Sequence, residues 1–253
     1  PVIPVFNFDL DLKKARPGQL QWGKHYPESE LAFQMAANFK GDRLDNLEGF
    51  IVLKNGEYEN RNGKLDLSGT ELKSVPGRTA DSLNFTSPIL DIKIYGKYHF
   101  QSIINAFEKS ASHFLPAIHY KKLANARNNK FSYQIEAKNL DGLTSVFSPG
   151  LSVETPFLLY GKFDSENFDL ELEGSIPGFH TQNIWVKNIF IGNKPVDDRY
   201  ESKFRFGEIV LKNQMSLYNL TVDSKIAGNV LDNQISWSNY HGLTYSGTVN
   251  TRS

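Results

Sequence analysis

Apolar and polar residues alternate along most of this chain with a period of two, as in strands that bury one face and wet the other. Phe6, Phe8, Leu10 and Leu12 alternate with Asn7, Asp9 and Asp11, and Leu31, Phe33, Met35, Ala37 and Phe39 form the next row. Phe131, Tyr133, Ile135 and Ala137 alternate with polar residues in the same way, as do Phe168, Leu170 and Leu172. Shorter rows follow at Leu65/Leu67, Ile184/Val186, Phe204/Phe206, Leu220/Val222, Ile235/Trp237 and Tyr245/Thr248. Turn-forming pairs such as Asn62-Gly63, Pro76-Gly77, Asp141-Gly142, Pro149-Gly150 and Pro177-Gly178 separate the rows. The spacing predicts roughly a dozen strands, far above the share expected of a mixed domain.

One stretch departs from this period. From Gln101 to Ala126, apolar residues fall at Ile103/Ile104, Phe107, Ala111 and Phe114/Leu115, which is a helical stripe. A helical insertion is therefore expected over 101–126, ended or kinked at Pro116, with a second short helix running to Ala126. Thr144 to Phe147 predicts one further helical turn. The phrase Ile51-Val52-Leu53-Lys54-Asn55 recurs at Ile209–Asn213, weak support for a repetitive sheet. No composition shift marks a linker, so 1–253 reads as a single segment.

Charge and composition narrow the function classes. The 28 Lys+Arg are balanced by 28 Asp+Glu, leaving no basic excess to displace counterions from nucleic acid. Cysteine is absent, which removes disulfides, Cys-ligated zinc, iron–sulfur clusters and thiol catalysis together. No run of about 18 apolar residues is long enough to span a bilayer as a helix. The chain opens on Pro1 without a signal peptide and reads as a piece of a longer protein, with any anchor or targeting sequence outside it.

Catalytic motifs are missing. There is no G-x-S-x-G, Walker A, G-x-G-x-x-G or H-E-x-x-H phrase. His113 and His119 lack the i, i+4 spacing of a zinc pair. Asp9/Asp11 and Glu171/Glu173 share strand faces at a permitted separation for paired acids, about 7 Å. The opposite faces are the apolar ones, so these carboxylates are expected to point into water. Asp197-Asp198 lacks an EF-hand frame. The expectation is a non-enzymatic chain with no catalytic residues, metal or cofactor.

The apolar face is what remains. Its rows could meet one another as the dry core of a closed sandwich or barrel, the commoner solution. They could instead line an open trough in a long curled sheet, which a protein in water tolerates when something apolar occupies it. Periodicity does not decide between them.

Several phrases resemble a known family. They are Leu83 to Phe100, the run Gly161 to Gly174, Leu217 to Lys225, Val230 to Trp237, and Leu243 to Gly247. Together they resemble the translocation and assembly module (TamB) family of the AsmA-like group, in its Bacteroidetes form. The resemblance implies a mostly β fold: a long curled antiparallel sheet, or β-taco, with an apolar groove, here interrupted by the helix. It implies a periplasmic segment of an inner-membrane-anchored protein that carries phospholipid acyl chains between membranes and works with an outer-membrane β-barrel partner in outer-membrane biogenesis. The candidate groove residues are Phe6, Phe8, Leu10, Leu31, Phe33, Phe131, Tyr133, Ile135, Phe168, Leu170, Leu172, Phe204, Phe206, Leu220, Val222, Ile235 and Trp237. Two alternatives stand beside it: templating of outer-membrane strands by exposed edges, and a closed carbohydrate-binding sandwich using Trp22, Trp185 and Trp237.

Overall fold

The alternating rows become sixteen strands of one antiparallel sheet that does not close, seen in a computed structural model describing residues 3–17, 26–114, 127–212, 215–239 and 242–252. The elements are β1 (Val5–Ala15), β2 (Glu30–Lys40), β3 (Glu48–Asn60), β4 (Gly63–Asp66), β5 (Thr70–Val75), β6 (Asp81–Thr86), β7 (Leu90–Lys97), α1 (Phe100–Phe114), β8 (Lys130–Ala137), α2 (Asp141–Phe147), β9 (Ser152–Val153), β10 (Phe157–Asp164), β11 (Asp169–His180), β12 (Ile184–Val196), β13 (Arg199–Leu211), β14 (Ser216–Ala227), β15 (Val230–Ser238) and β16 (Thr244–Arg252). Sheet order follows chain order apart from β4, which adds to β3, and β9. Short turns dictate this order for hairpin neighbours, which pair antiparallel, and β7, β8 and β10 keep it across the longer connections that carry α1 and α2. The closed-sandwich alternative is thereby set aside; of its three tryptophans, Trp22 lies outside the described residues.

The chain divides into two compact units, one formed by residues 1–95 and 135–156, the other by 96–134 and 157–253. In the first, α2 packs on the β3–β4 hairpin. Phe147 stacks on Tyr58 with ring centroids 5.3 Å apart, and Val146 and Leu65 are buried. The Nδ2 groups of Asn60 and Asn62 both donate to the Val146 carbonyl, at 3.1 and 2.9 Å, so a helix-end acceptor with no intrahelical partner is satisfied.

In the second unit, α1 lies on the sheet through a stripe of Ser102, Asn105, Ala106, Ser110 and Phe114. Within the described residues the helix runs to Phe114; Pro116, His119 and the second short helix lie outside them. Ile104, part of the apolar stripe in sequence, is 71 % exposed. The inward face is offset from it because Ser102, Ala106 and Ser110 are small enough to bring the helix close.

A line of special residues crosses β11 to β14. Ile176 pairs with Ile189 and Gly178 with Lys187, leaving Pro177 opposite Asn188. The next registers set Asn188 opposite Gly207 and Gly207 opposite Asn219. Asn188 and Asn219 have left-handed φ of 53° and 51°. Asparagine tolerates this conformation better than most side chains do. A Cβ on Gly207 would sit 2.9 Å from that of Asn188, so only glycine leaves room for the asparagine. The line shifts the alternation by one residue. Val186 and Ile189 are both buried, at 4 % and 5 % exposure, although residues three apart on a regular strand face opposite ways.

Candidate functional site

Cross-strand partners share a face, so the pairing registers assemble the candidate residues directly. In the second unit, Phe204 pairs with Ile191 and Val222, and Val222 with Ile235. Phe206 pairs with Ile189 and Leu220. Leu170 pairs with Phe163, and Leu172 with Gly161 and Asn193. These side chains form one apolar face, and Leu170, Leu172, Phe204, Phe206, Leu220, Val222 and Ile235 remain half-buried rather than sealed. Trp237, also half-buried, stacks on Tyr245 at 5.8 Å.

The first unit repeats the arrangement. Phe6 stacks on Phe39 at 4.9 Å. Phe8, Ala37, Ile51, Leu72 and Phe85 align across five strands, and Leu10, Met35 and Leu53 form the next row. Phe33 opposes Gly56 and Leu31 opposes Tyr58. Phe6, Phe8 and Leu10, on the end strand β1, are exposed. In β8, Ile135 of the first unit is half-buried, while Tyr133 and Phe131, which belong to the second, are half-buried and buried respectively.

Helix α1 covers one end of the second unit's apolar face. Phe107 packs on Phe163 at 4.3 Å, Phe131 meets Phe163 at 5.7 Å, and Phe114 meets Tyr200 at 5.3 Å. Between helix and sheet lies an apolar crevice of about 120 Å³, lined by Ser110, Ala111, Phe114, Leu170, Tyr200 and Ile226.

Phe168 is a correction to the sequence reading. It is not the first residue of a strand row but a left-handed turn residue, with φ of 57°, just before β11. Its ring lies parallel to that of His113 at 4.0 Å, with the Lys109 ammonium 5.1 Å from its centroid. The turn is therefore a clasp on α1, which outweighs the cost of the strained backbone.

The polar face is a solvated ladder. Lys203 lies 3.4 Å from Asp223, and Lys225 lies 4.0 Å from Glu201. A depression of about 560 Å³ on this face is lined by both signs, including Glu173, Lys203, Asp223 and Lys225. Exposed pairs of this kind contribute little energy. Asp9 and Asp11 face water as expected, each beside a lysine. Among the described residues, no group of three His, Asp or Glu side chains could hold a metal ion, and no helix is long and apolar enough to cross a membrane.

Titratable groups beneath α1 are perturbed by burial. Burial opposes ionisation of the Asp164 carboxyl, but Lys130 at 2.7 Å, Asn167 and two backbone N–H groups outweigh it and hold the pKa below the usual range. Asp169 shifts upward, through burial first and then the neighbouring Glu171 and Asp164 charges. Tyr133, whose hydroxyl donates to the Glu171 carbonyl at 2.8 Å, is pushed up to about 12 by burial and then by Glu171. Tyr200 is raised further by burial, Tyr133 and Asp169.

A pH dependence follows. Unfolded tyrosine titrates near pH ~10. Below that value both phenols are neutral folded or unfolded, and their full stabilisation is present. As pH rises from there through the folded value of about 12 for Tyr133, the unfolded state releases protons first and stability falls. Urea unfolding across this window should show a shallower loss for a Tyr133→Phe/Tyr200→Phe variant than for the parent. Equal slopes would place the alkaline sensitivity elsewhere.

No family model, curated protein or solved structure matches this chain.

Proposed function

We propose that this chain is a non-enzymatic, lipid-conducting segment of a TamB-like envelope protein, lying in the periplasm and tied to the inner membrane through an anchor that belongs to another part of that protein. The observation that carries the reading is the half-buried row Ile191–Phe204–Val222–Ile235, with Phe206 and Leu220 beside it, on a single open sheet. Four strands set about 14 Å of apolar width side by side. Each methylene of an acyl chain buried there contributes about 0.8 kcal/mol without a directional bond. Such contacts hold a chain and still let it slide. The partners on this reading are phospholipid acyl chains and an outer-membrane β-barrel protein.

Native mass spectrometry with lipid extraction tests it. Phospholipid is expected to co-purify with the chain, and Val222→Asp is expected to lower its retention about tenfold, since an ionised carboxylate on the face opposes apolar burial. Val222 is preferable to Leu170, which lies under α1 and whose replacement would disturb the helix. A folded chain without lipid, or a Val222→Asp variant that keeps it, would overturn the proposal. A second reading, templating of outer-membrane strands, draws on a different feature: among the described residues, β1 and β16 end the strand order and pair on one side only. Val222→Asp separates the two, because it alters the face and leaves both edges intact.

A further inference from the structure

The two ends of the second unit's strands differ in chemistry. At one end lie the turns between β11 and β12, β13 and β14, and β15 and β16, brought together by the pairs His180–Trp185, Ile184–Leu211, Val210–Ser216 and Ser238–Thr244. Large apolar side chains are exposed there: Trp185 at 45 %, Met215 at 49 % and Leu243 at 58 %, with Ile184 and Tyr245 also exposed. The charges beside them are mainly basic. Lys187 sits 4.7 Å over the Trp185 ring and 2.9 Å from Glu208, and Lys212 is exposed in the next turn. At the other end, the turns carry Glu166 and Asp197-Asp198, and no large apolar residue of those turns is exposed.

We infer that the Trp185 end of this unit is a membrane-contact surface that seats in the headgroup region of a bilayer containing anionic lipid. An indole and a phenol each combine an apolar body with a polar edge and favour the bilayer interface. Met215 and Leu243 add apolar area that a turn tip in water has no reason to display. Lys212 complements a negative lipid surface, Lys187 offsets Glu208, and the turn carboxylates Glu166, Asp197 and Asp198 lie at the opposite end. None of these tip residues belongs to the row Ile191–Phe204–Val222–Ile235, so the inference stands apart from lipid carriage on that row.

Vesicles of phosphatidylcholine with phosphatidylglycerol provide the probe, mixed with the full chain in a Trp22→Phe/Trp237→Phe background where Trp185 is the reporter. Binding is expected on co-sedimentation, with a blue shift of Trp185 emission. A Met215→Ser/Leu243→Ser variant is expected to bind roughly tenfold more weakly, and Lys212→Glu to weaken binding selectively on the anionic vesicles. These positions are exposed, and circular dichroism should confirm that both variants fold. Val222→Asp should leave vesicle binding unchanged, which separates this surface from the lipid-carrying face. Absence of binding, or binding indifferent to the tip substitutions, would overturn the inference. So would tip variants that abolish self-association, by sedimentation velocity, in a chain that never binds vesicles, since the patch would then belong to a second copy.

Discussion

Replacing Phe163 by alanine is expected to lower the stability of the second unit by about 3–5 kcal/mol, the range for removing a buried phenylalanine ring. Phe163 is 1 % exposed and is touched from both sides, by Phe107 of α1 at 4.3 Å and by Phe131 of β8 at 5.7 Å. Its strand neighbours are fixed by the register, in which Phe163 opposes Leu170. The backbone therefore cannot collapse into the space, and the cavity remains as a cost beyond lost burial. The consequence reaches function on the proposed reading, because this ring seats α1 on the covered end of the apolar face. Urea unfolding measures the loss. Ile104→Ala, on the outward side of the same helix at 71 % exposure, is the control and should change stability by less than about 0.5 kcal/mol. A Phe163→Ala cost as small as that of the control would mean that α1 is not anchored through this ring.

Much of the sheet is legible in the sequence because each strand repeats a two-residue rule that turns punctuate. Phe204, Val222 and Ile235 come from three rows that the sequence presents separately, and hairpin pairing is enough to unite them. The sheet has more strands than the alternation predicts; β9, at two residues, is too short to alternate. Phe168 misleads for the opposite reason: it continues the alternation of Leu170 and Leu172 in sequence, while His113, distant in the chain, recruits its ring. The phase shift along Pro177, Asn188, Gly207 and Asn219 is also invisible in the sequence, since each residue alone is an ordinary loop former. Only the register aligns them. Asparagine and glycine inside otherwise alternating rows are the available signal. Trp185 has the pattern of a packed strand residue, and the tip chemistry escapes the pattern because Met215 and Leu243 fall in turns, outside any row. The buried polar residue Asn129 leaves no pattern at all: the second asparagine of Arg127-Asn128-Asn129 looks like loop.

Asn129→Ala is expected to cost about 1–3 kcal/mol, although it removes only an amide group. Asn129 is fully buried. Its Oδ1 accepts from the His99 backbone N–H at 2.7 Å, and its Nδ2 donates to Ser102 Oγ at 3.3 Å and to the Arg127 carbonyl at 3.2 Å. Its backbone N–H donates to Ser165 Oγ at 2.8 Å, while Ser165 N–H donates to its carbonyl at 2.8 Å. The side chain thus joins the start of α1 to the approach to β8, and the backbone of the same residue holds the β10–β11 turn. Alanine would take the acceptor from the His99 N–H, and an unsatisfied buried group costs about 1–3 kcal/mol, while the Arg127 carbonyl keeps the Ser102 hydroxyl at 3.2 Å. Asn129→Asp separates hydrogen bonding from size. It keeps the acceptor for His99 but loses the donor to Ser102 and Arg127, and it places a carboxylate in a dry site, so at neutral pH it should be at least as damaging as alanine. Below the pKa of that carboxyl the protonated acid regains a donor, and stability relative to the parent should recover. Hydrogen exchange of α1 amides adds the structural readout: protection along Phe100–Phe114 should fall more than protection in β13 and β14. An equal fall in all three would mean that Asn129 supports the unit as a whole and does not specifically tether the helix that covers its apolar face.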